Sequence, residues 1–225
     1  MLLEAFAEFW DKPPGSIDLY MIHLPRAVER EGCIKALETA VGPLERFDAY
    51  TGHPTPCVEP GKIRTAGEAG CLRSHVEAMR RAISRGKSHL VVFEDDCMAA
   101  GGDVRAYLKA AKEFMREFSL PQDLILLGTC GCYTWRFLRG GVKATDHFNG
   151  SHSYSISRAM MEKVISAYEF LSGRGVMLPI DGLLGHILRS ERRWALCPEN
   201  EVGLFVQNRD IPSYILTDGE GLRRE

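Results

Sequence analysis

The sequence predicts an α/β fold, a single domain with a mostly parallel central sheet. Short apolar segments alternate along the chain with segments of helical periodicity. Two of the apolar segments, residues 88–93 and 124–127, lack the alternation of a half-exposed strand, which is typical of strands covered on both faces. No repeat, linker or low-complexity tract divides the 225 residues. We therefore expect one core, with ligands at the carboxyl ends of the strands.

The first segment predicts an amphipathic helix that ends before Pro13-Pro14-Gly15. Its apolar residues recur at helical spacing, namely Leu2, Leu3, Phe6, Phe9 and Trp10. A helix on a membrane surface would carry Lys and Arg on its polar face, whereas this polar face is acidic. We expect residues 1–16 to pack on the core of a main domain over residues 17–225.

The later elements follow in chain order. The apolar patterns predict strands over residues 17–23, 44–50, 88–93, 124–127 and 151–157. Helices are expected over residues 27–41, 67–85 and 104–118, and a further helix follows residue 157. Asp103 stands where an N-cap residue of the third of these helices belongs.

The composition excludes two classes of protein. The net charge of −2 gives no field that would hold a nucleic-acid backbone, so we expect no nucleic-acid partner. No apolar run approaches the roughly 20 residues that cross a bilayer, so we expect no membrane span and at most peripheral membrane contact. Seven cysteines, an odd number, are scattered through a chain too large to need disulfides, which predicts reduced thiols and a cytoplasmic location.

An acidic motif, Phe93-Glu94-Asp95-Asp96, comes at the end of the predicted buried strand over residues 88–93, whose last four residues are all apolar. In an extended chain Glu94 and Asp96 point to the same side. Two such carboxylates suit a hard divalent ion, Mg²⁺ or Mn²⁺, and a histidine, His186 or His152, would complete the ligand set. A solvated acidic turn is the alternative interpretation.

The stretch from Gly67 to His75, Gly-Glu-Ala-Gly-Cys-Leu-Arg-Ser-His, precedes the acidic motif by about twenty residues. Together the two motifs resemble the paired signature of glycosyltransferase family 25, which includes lipopolysaccharide and lipooligosaccharide sugar transferases and collagen galactosyltransferases. Further matches occur in order, namely residues 19–26 with Arg30, residues 150–157, Pro179-Ile180-Asp181, and Gln207 with residues 212–215.

The resemblance implies an A-type glycosyltransferase (Rossmann-like) fold and a UDP-sugar donor. The implied reaction is inverting transfer of galactose or glucose to a hydroxyl of a glycan or glycolipid such as lipopolysaccharide, with Mn²⁺ or Mg²⁺ as cofactor. A non-catalytic protein of the same fold, binding a sugar nucleotide or a protein partner, is the alternative. Another kind of phosphate-processing enzyme is disfavoured because the chain has no Gly-rich phosphate loop with Lys.

The expected roles follow. The metal ligands are Glu94, Asp96 and His186. The general base is Asp181, with Asp146 or a histidine as alternatives, and Asp181 as a helix N-cap is an equally weighted interpretation. His75 is interpreted as a buried core histidine. Donor contacts are expected from Leu24, Arg26, Arg30, Arg73, Ser74, Glu94, Asp95, Gly150 and His152.

Overall fold

The structure is a computed structural model that describes residues 2–51, 65–120, 123–134, 137–199 and 203–211. The motif match at residues 212–215 lies outside these ranges. The helices are α1 (Leu2–Trp10), α2 (Glu31–Val41), α3 (Ala66–Ser84), α4 (Val104–Phe118), α5 (Arg158–Ser172) and α6 (Ile180–Ser190). The first six strands are β1 (Ile17–His23), β2 (Glu45–Asp48), β3 (His89–Glu94), β4 (Cys97–Ala99), β5 (Leu124–Gly128) and β6 (Gly131–Thr134). The others are β7 (Phe137–Arg139), β8 (Val142–Thr145), β9 (His147–Asn149), β10 (Ser153–Ser157), β11 (Ala195–Pro198) and β12 (Phe205–Gln207).

The central sheet has eight strands in the order β2-β1-β3-β10-β5-β11-β8-β7. Strands β2 and β3 are both parallel to β1, and β11 is parallel to β5. Strand β10 runs antiparallel between β3 and β5, and β8 runs antiparallel between β11 and β7. Six of the eight strands therefore point in one direction, and the prediction of an α/β fold with a mostly parallel sheet is confirmed.

Apolar layers cover both faces of this sheet. Val91 and Phe93 pack on one face with side chains of α1, α2 and α4. Leu90 and Val92 pack on the other with side chains of α3, α5 and α6. Because neighbouring residues of a strand point to opposite faces, the helical layers on both sides account for the unbroken apolar run Leu90–Phe93 in β3.

Helix α1 is the part of the first layer that lies against β3 and β10. The Trp10 ring stacks on the His89 ring, with centroids 4.3 Å apart, and its Nε1 donates a hydrogen bond to Ser155 Oγ over 3.0 Å. Burial lowers the pKa of His89 to about 4, so this imidazole is neutral at pH 7.

Local capping fixes where α4 and α3 begin. Asp103 accepts the backbone N–H groups of Arg105 and Ala106 at the start of α4, as predicted. Thr65 and Glu68 form a capping box at the start of α3, which the sequence analysis missed. In the part of the chain that the structure describes, no helix has the length and apolar character needed to cross a bilayer.

Candidate functional site

A cleft that is partly open to solvent lies where β1 and β3 end. Because these strands are parallel, their carboxyl ends meet at one edge of the sheet, and the cleft-facing side of α3 closes the site. Part of the lining is apolar or aromatic, namely Ile22, Leu24, Ala49, Tyr50 and Ala66. The polar lining includes Arg26, Arg30, Cys71, Ser74, His75, Glu94 and Asp95.

Asp95 joins the two strand ends. Its Oδ1 accepts a hydrogen bond from Arg30, and its Oδ2 accepts the Leu24 N–H at 2.9 Å and the His23 ring N–H at 3.2 Å. Arg30 is buried, and although burial opposes its charge, the carboxylates of Asp95 and Asp96 raise its pKa. Both oxygens of Asp95 thus accept hydrogen bonds from the protein itself. The sequence predicted that Asp95 contacts the sugar donor, whereas its observed contacts hold the two strand ends together.

Glu94 forms a buried pair with His75. The distance from Glu94 Oε1 to His75 Nε2 is 3.2 Å, and His75 Nδ1 lies 2.8 Å from the Tyr154 hydroxyl. Burial raises the pKa of Glu94. The hydrogen bond from His75 and its charge lower the pKa, with smaller contributions from His152 and Arg30, and together they bring it below its ordinary value. His75 is fully buried, as predicted, but its partner is the predicted metal ligand, which the sequence did not indicate.

Asp96 is 3% exposed, and its Oδ2 lies 3.6 Å from Arg30 Nη1. Its Oδ2 accepts the Gln207 side-chain N–H at 3.0 Å, whereas its Oδ1 has no hydrogen-bond partner among the described residues. Burial and the charge of Glu94 raise the pKa of Asp96 to about 7. An unsatisfied buried carboxylate oxygen beside a second carboxylate is what a divalent cation would neutralise, so these residues fit Mn²⁺ or Mg²⁺.

Asp181 lies in the first turn of α6, but its side chain does not cap the helix. The N-cap position is Pro179, so the N-cap interpretation is wrong. Asp181 Oδ2 accepts the Gly150 N–H and Oδ1 accepts the Gly182 N–H, both over 2.8 Å. Burial raises the pKa of the Cys71 thiol, and the charges of Glu94, Asp181 and Asp96 raise it further.

Gly150 takes a backbone conformation that favours glycine. Its φ is +80°, and a Cβ there would lie 2.7 Å from Cys130 Sγ. Glycine is required because any side chain would meet both strain and a clash at the point where the N–H turns toward Asp181.

Of the remaining predicted donor residues, Leu24, Arg26 and Ser74 line the cleft, and Arg73 lies beside one of its lining residues, Tyr50. Arg26 is exposed at the cleft, and Leu24 is half-buried there. Arg73 is exposed with its guanidinium 4.4 Å from the centre of the Tyr50 ring. Ser74 Oγ donates a hydrogen bond to the Gly70 carbonyl and accepts one from the Tyr50 N–H, so it ties the backbone at Tyr50 to α3.

Among the described residues, neither His152 nor His186 forms a hydrogen bond with a carboxylate, although the charge of Glu94 acts on His152. His152 Nε2 is 3.0 Å from the Phe205 carbonyl, and burial lowers the pKa of this imidazole. His186 is exposed on α6 and belongs to no group of three potential metal ligands within the described ranges. Asp146, the alternative base, accepts a hydrogen bond from Thr134 Oγ1 at 2.6 Å, and neither Asp146 nor Asp181 is among the residues that line the cleft.

The described residues contain one group of three potential metal ligands, Cys71, His75 and Glu94. One ligand atom from each lies within 4.8 Å of the others. Sequence analysis missed Cys71, Tyr154 and Gln207 as parts of the site. The four-residue spacing of Cys71 and His75, which places both on one face of α3, was the available signal for the first of them.

No family model matches the chain. Two curated proteins match 81 residues, which make up 36% of this chain and 13% of each relative. They are "Probable inactive glycosyltransferase 25 family member 3" of Bos taurus, 37% identical, and "Inactive glycosyltransferase 25 family member 3" of Homo sapiens, 33% identical.

Two solved structures resemble the fold at low identity. Protein A197 from STIV is 14% identical with a TM-score of 0.44, and the match covers 80% of this chain and 83% of that one. UDP-glucose pyrophosphorylase complexed with UDP-glucose is 11% identical with a TM-score of 0.43, and the match covers 89% of this chain and 79% of that one. The sequence matches and the motif pair support membership of the glycosyltransferase 25 family.

Proposed function

We propose that this chain binds a UDP-sugar and a divalent cation in the cleft and transfers the sugar, galactose or glucose, with inversion to a hydroxyl of a glycan or glycolipid such as lipopolysaccharide. The observation that carries the proposal is the composition of the cleft. An apolar and aromatic wall at the end of β1 leads directly to buried carboxylates at the end of β3. A nucleoside diphosphate sugar has the same division between a flat, weakly polar base and a charged diphosphate.

The nucleoside would bind at the apolar wall. Tyr50 is 37% exposed and offers a ring face, and the Ser74 hydroxyl and the Arg73 guanidinium hold it in place. Stacking of a base on such a ring contributes about 1–3 kcal/mol. Arg26 at the exposed side of the cleft would meet a phosphate, because a guanidinium matches phosphate oxygens in pairs.

The diphosphate would bind at the carboxylates through the cation. Glu94 and Asp96 would hold the ion, and the unpartnered Oδ1 of Asp96 supports this assignment. When bound, Mn²⁺ or Mg²⁺ would offset the negative charge that develops on the departing nucleoside diphosphate. Arg30 and Asp95 position these residues, because their mutual contacts fix the turn that follows β3.

Asp181 is the proposed general base. Hydrogen bonds from Gly150 and Gly182 orient its carboxylate, and each carboxylate oxygen has a second lone-pair site that remains for an acceptor hydroxyl. A base within hydrogen-bond reach of that hydroxyl takes its proton as the bond to the sugar forms.

The first experiment measures UDP binding by calorimetry with and without Mn²⁺. We expect binding that EDTA abolishes and that Glu94→Gln weakens at least about 10-fold, since the ion loses a charged ligand. Glu162→Gln is the matched control, because Glu162 pairs with Arg158 on an exposed face of α5. Equal UDP affinity with EDTA, or in a folded Glu94→Gln variant, would contradict the proposal.

The second experiment separates the base from the ligands of the donor. Asp181→Asn should lower kcat by about 10²–10⁴-fold while the affinity for UDP and Mn²⁺ stays nearly unchanged, because a base acts on the transition state. The donors are UDP-galactose and UDP-glucose with a lipopolysaccharide-type acceptor. Asp146→Asn should keep its kcat, and the reverse result would transfer the role to Asp146.

The alternative, a non-catalytic protein that binds the sugar nucleotide, has support of its own. The names of both curated relatives contain "inactive", and in this chain both oxygens of Asp181 already accept backbone N–H groups. Cation-dependent UDP binding without release of UDP from any UDP-sugar, with or without an acceptor, would favour this alternative.

A further inference from the structure

Helix α3 and strand β3 bring a thiol, an imidazole and a carboxylate together in the cleft. Cys71 and His75 are four residues apart on α3 and so lie on the same face of the helix, while Glu94 is the last residue of β3. All three line the cleft, and one ligand atom of each lies within 4.8 Å of the others. The proposed function leaves Cys71 and His75 without a role.

We propose that Cys71, His75 and Glu94 form a binding site for a thiophilic divalent cation of the Zn²⁺ or Co²⁺ class. The inference rests on the proposed function only in placing a cation at Glu94, and it changes which ion the cleft selects. Mg²⁺ takes oxygen ligands almost exclusively, whereas a thiolate and an imidazole favour zinc and its neighbours in the transition series.

The surroundings of His75 match those of a histidine ligand. Such a histidine usually holds its second ring nitrogen in a hydrogen bond, which fixes the ring and directs the other nitrogen at the ion. Here Nδ1 is bonded to the Tyr154 hydroxyl at 2.8 Å, and Nε2 points toward Glu94. The two rings also pack against each other with centroids 5.6 Å apart, which restricts the imidazole further.

Charge also favours a divalent ion. A thiolate and a carboxylate together carry two negative charges, which one divalent cation balances, and the bound state would release the thiol proton. Three protein ligands leave a fourth position for water or a phosphate oxygen, the coordination pattern of reactive rather than structural zinc sites. All three residues line the open cleft, so a phosphate oxygen that enters the cleft could reach an ion held by them.

The test titrates the full chain, stripped of metal, with Co²⁺ and records the near-ultraviolet charge-transfer absorption of a thiolate bound to Co²⁺. We expect one equivalent to bind with this band, and Zn²⁺ to remove the band by displacement. Cys71→Ser should abolish the band and weaken Co²⁺ binding at least about 100-fold, and folded His75→Gln should weaken binding similarly. Cys132→Ser is the matched control and should leave the band intact, since Cys132 Sγ lies 3.4 Å from Cys197 Sγ and neither of these thiols lines the cleft.

A band that persists in Cys71→Ser, or that disappears in Cys132→Ser, would overturn the inference. UDP calorimetry keeps its failure distinct from that of the proposed function. If Mn²⁺ or Mg²⁺ supports UDP binding equally in the parent and Cys71→Ser and no thiolate band forms, the inference fails and the proposed function stands. If the thiolate band forms but no cation promotes UDP binding, the inference stands and the proposed function fails.

Discussion

The two ends of strand β3 both bury polar groups, but by different physical means. At the amino end, His89 lies beneath Trp10 of α1, and burial keeps its imidazole neutral. At the carboxyl end, Glu94, Asp95 and Asp96 are buried among partners that carry charge or donate hydrogen bonds. One end excludes charge, whereas the other pairs it and leaves a single carboxylate oxygen of Asp96 unpartnered among the described residues. We infer that the amino end serves stability and that the carboxyl end is built for a ligand.

The largest expected effect comes from removing the charge of Asp95 at the carboxyl end of β3. The Asp95 carboxylate accepts hydrogen bonds from Arg30, Leu24 and His23. In Asp95→Asn, an amide NH₂ group would face these N–H donors in place of one carboxylate oxygen. Loss of one partner of a buried ion pair costs about 3–5 kcal/mol, which urea unfolding would measure. The exposed counterpart is Glu45→Gln, which faces Arg81 and Arg85 and should cost at most about 1 kcal/mol. Equal losses at the two sites would mean that the pairing at the carboxyl end does not matter.

The next effect removes the apolar cover of the amino end. Trp10→Ala deletes the ring that stacks on His89 and the donor to Ser155, and we expect a loss of about 3 kcal/mol in the free energy of unfolding. Phe170→Ala is the control, because Phe170 is 57% exposed and should change stability by less than about 0.5 kcal/mol. A Trp10→Ala protein as stable as the control would show that α1 contributes little to the core.

The strand pattern predicts most of the fold because it depends on local signals. Residues 90–93 are apolar at every position since both faces of the strand are covered. Asp103 caps α4 through the N–H groups two and three residues further along its own chain. The direction of β10 has no such signal. Its polar residues at 153, 155 and 157 are consistent with a strand of either direction. The strand is antiparallel because the chain enters β10 at the edge of the sheet where β3 and β5 end.

The site follows the same division between local and distant signals. The acidic motif marks Glu94 and Asp96 because charge after a buried strand is visible in sequence. The partners of Asp95 are 65 to 72 residues away, and Gln207 is 111 residues from Asp96, so neither spacing nor composition reveals them. His186 was expected near the carboxylates because histidine is a common ligand, but the phase of α6 turns it to the exposed face.

A smaller effect concerns pH at the amino end. The pKa of His89 is about 4 when folded, whereas an unfolded histidine titrates near 6.5, so the unfolded chain takes up the proton first as the pH falls. His89 therefore stabilises the fold above about pH 6.5 and loses that contribution as the pH falls toward 4. We expect the parent to lose about 2 kcal/mol from pH 7 to pH 5 through this group, and His89→Gln to lose correspondingly less. Exposed His147→Gln should keep the pH dependence of the parent.

The smallest effect sharpens the comparison at the carboxyl end, where Gly150 presents its N–H to Asp181. Gly141 is the matched control, because its φ of +81° is close to the +80° of Gly150 but no atom lies within 4 Å of an added Cβ. Backbone strain alone should cost Gly141→Ala about 1 kcal/mol. Gly150→Ala adds the close contact with Cys130 and should cost about 1 kcal/mol more than Gly141→Ala. Because it also displaces the N–H that orients Asp181, it should lower kcat without a matching loss of UDP affinity. Equal costs in the two variants, with kcat unchanged, would show that the turn at Gly150 does not hold Asp181 in place.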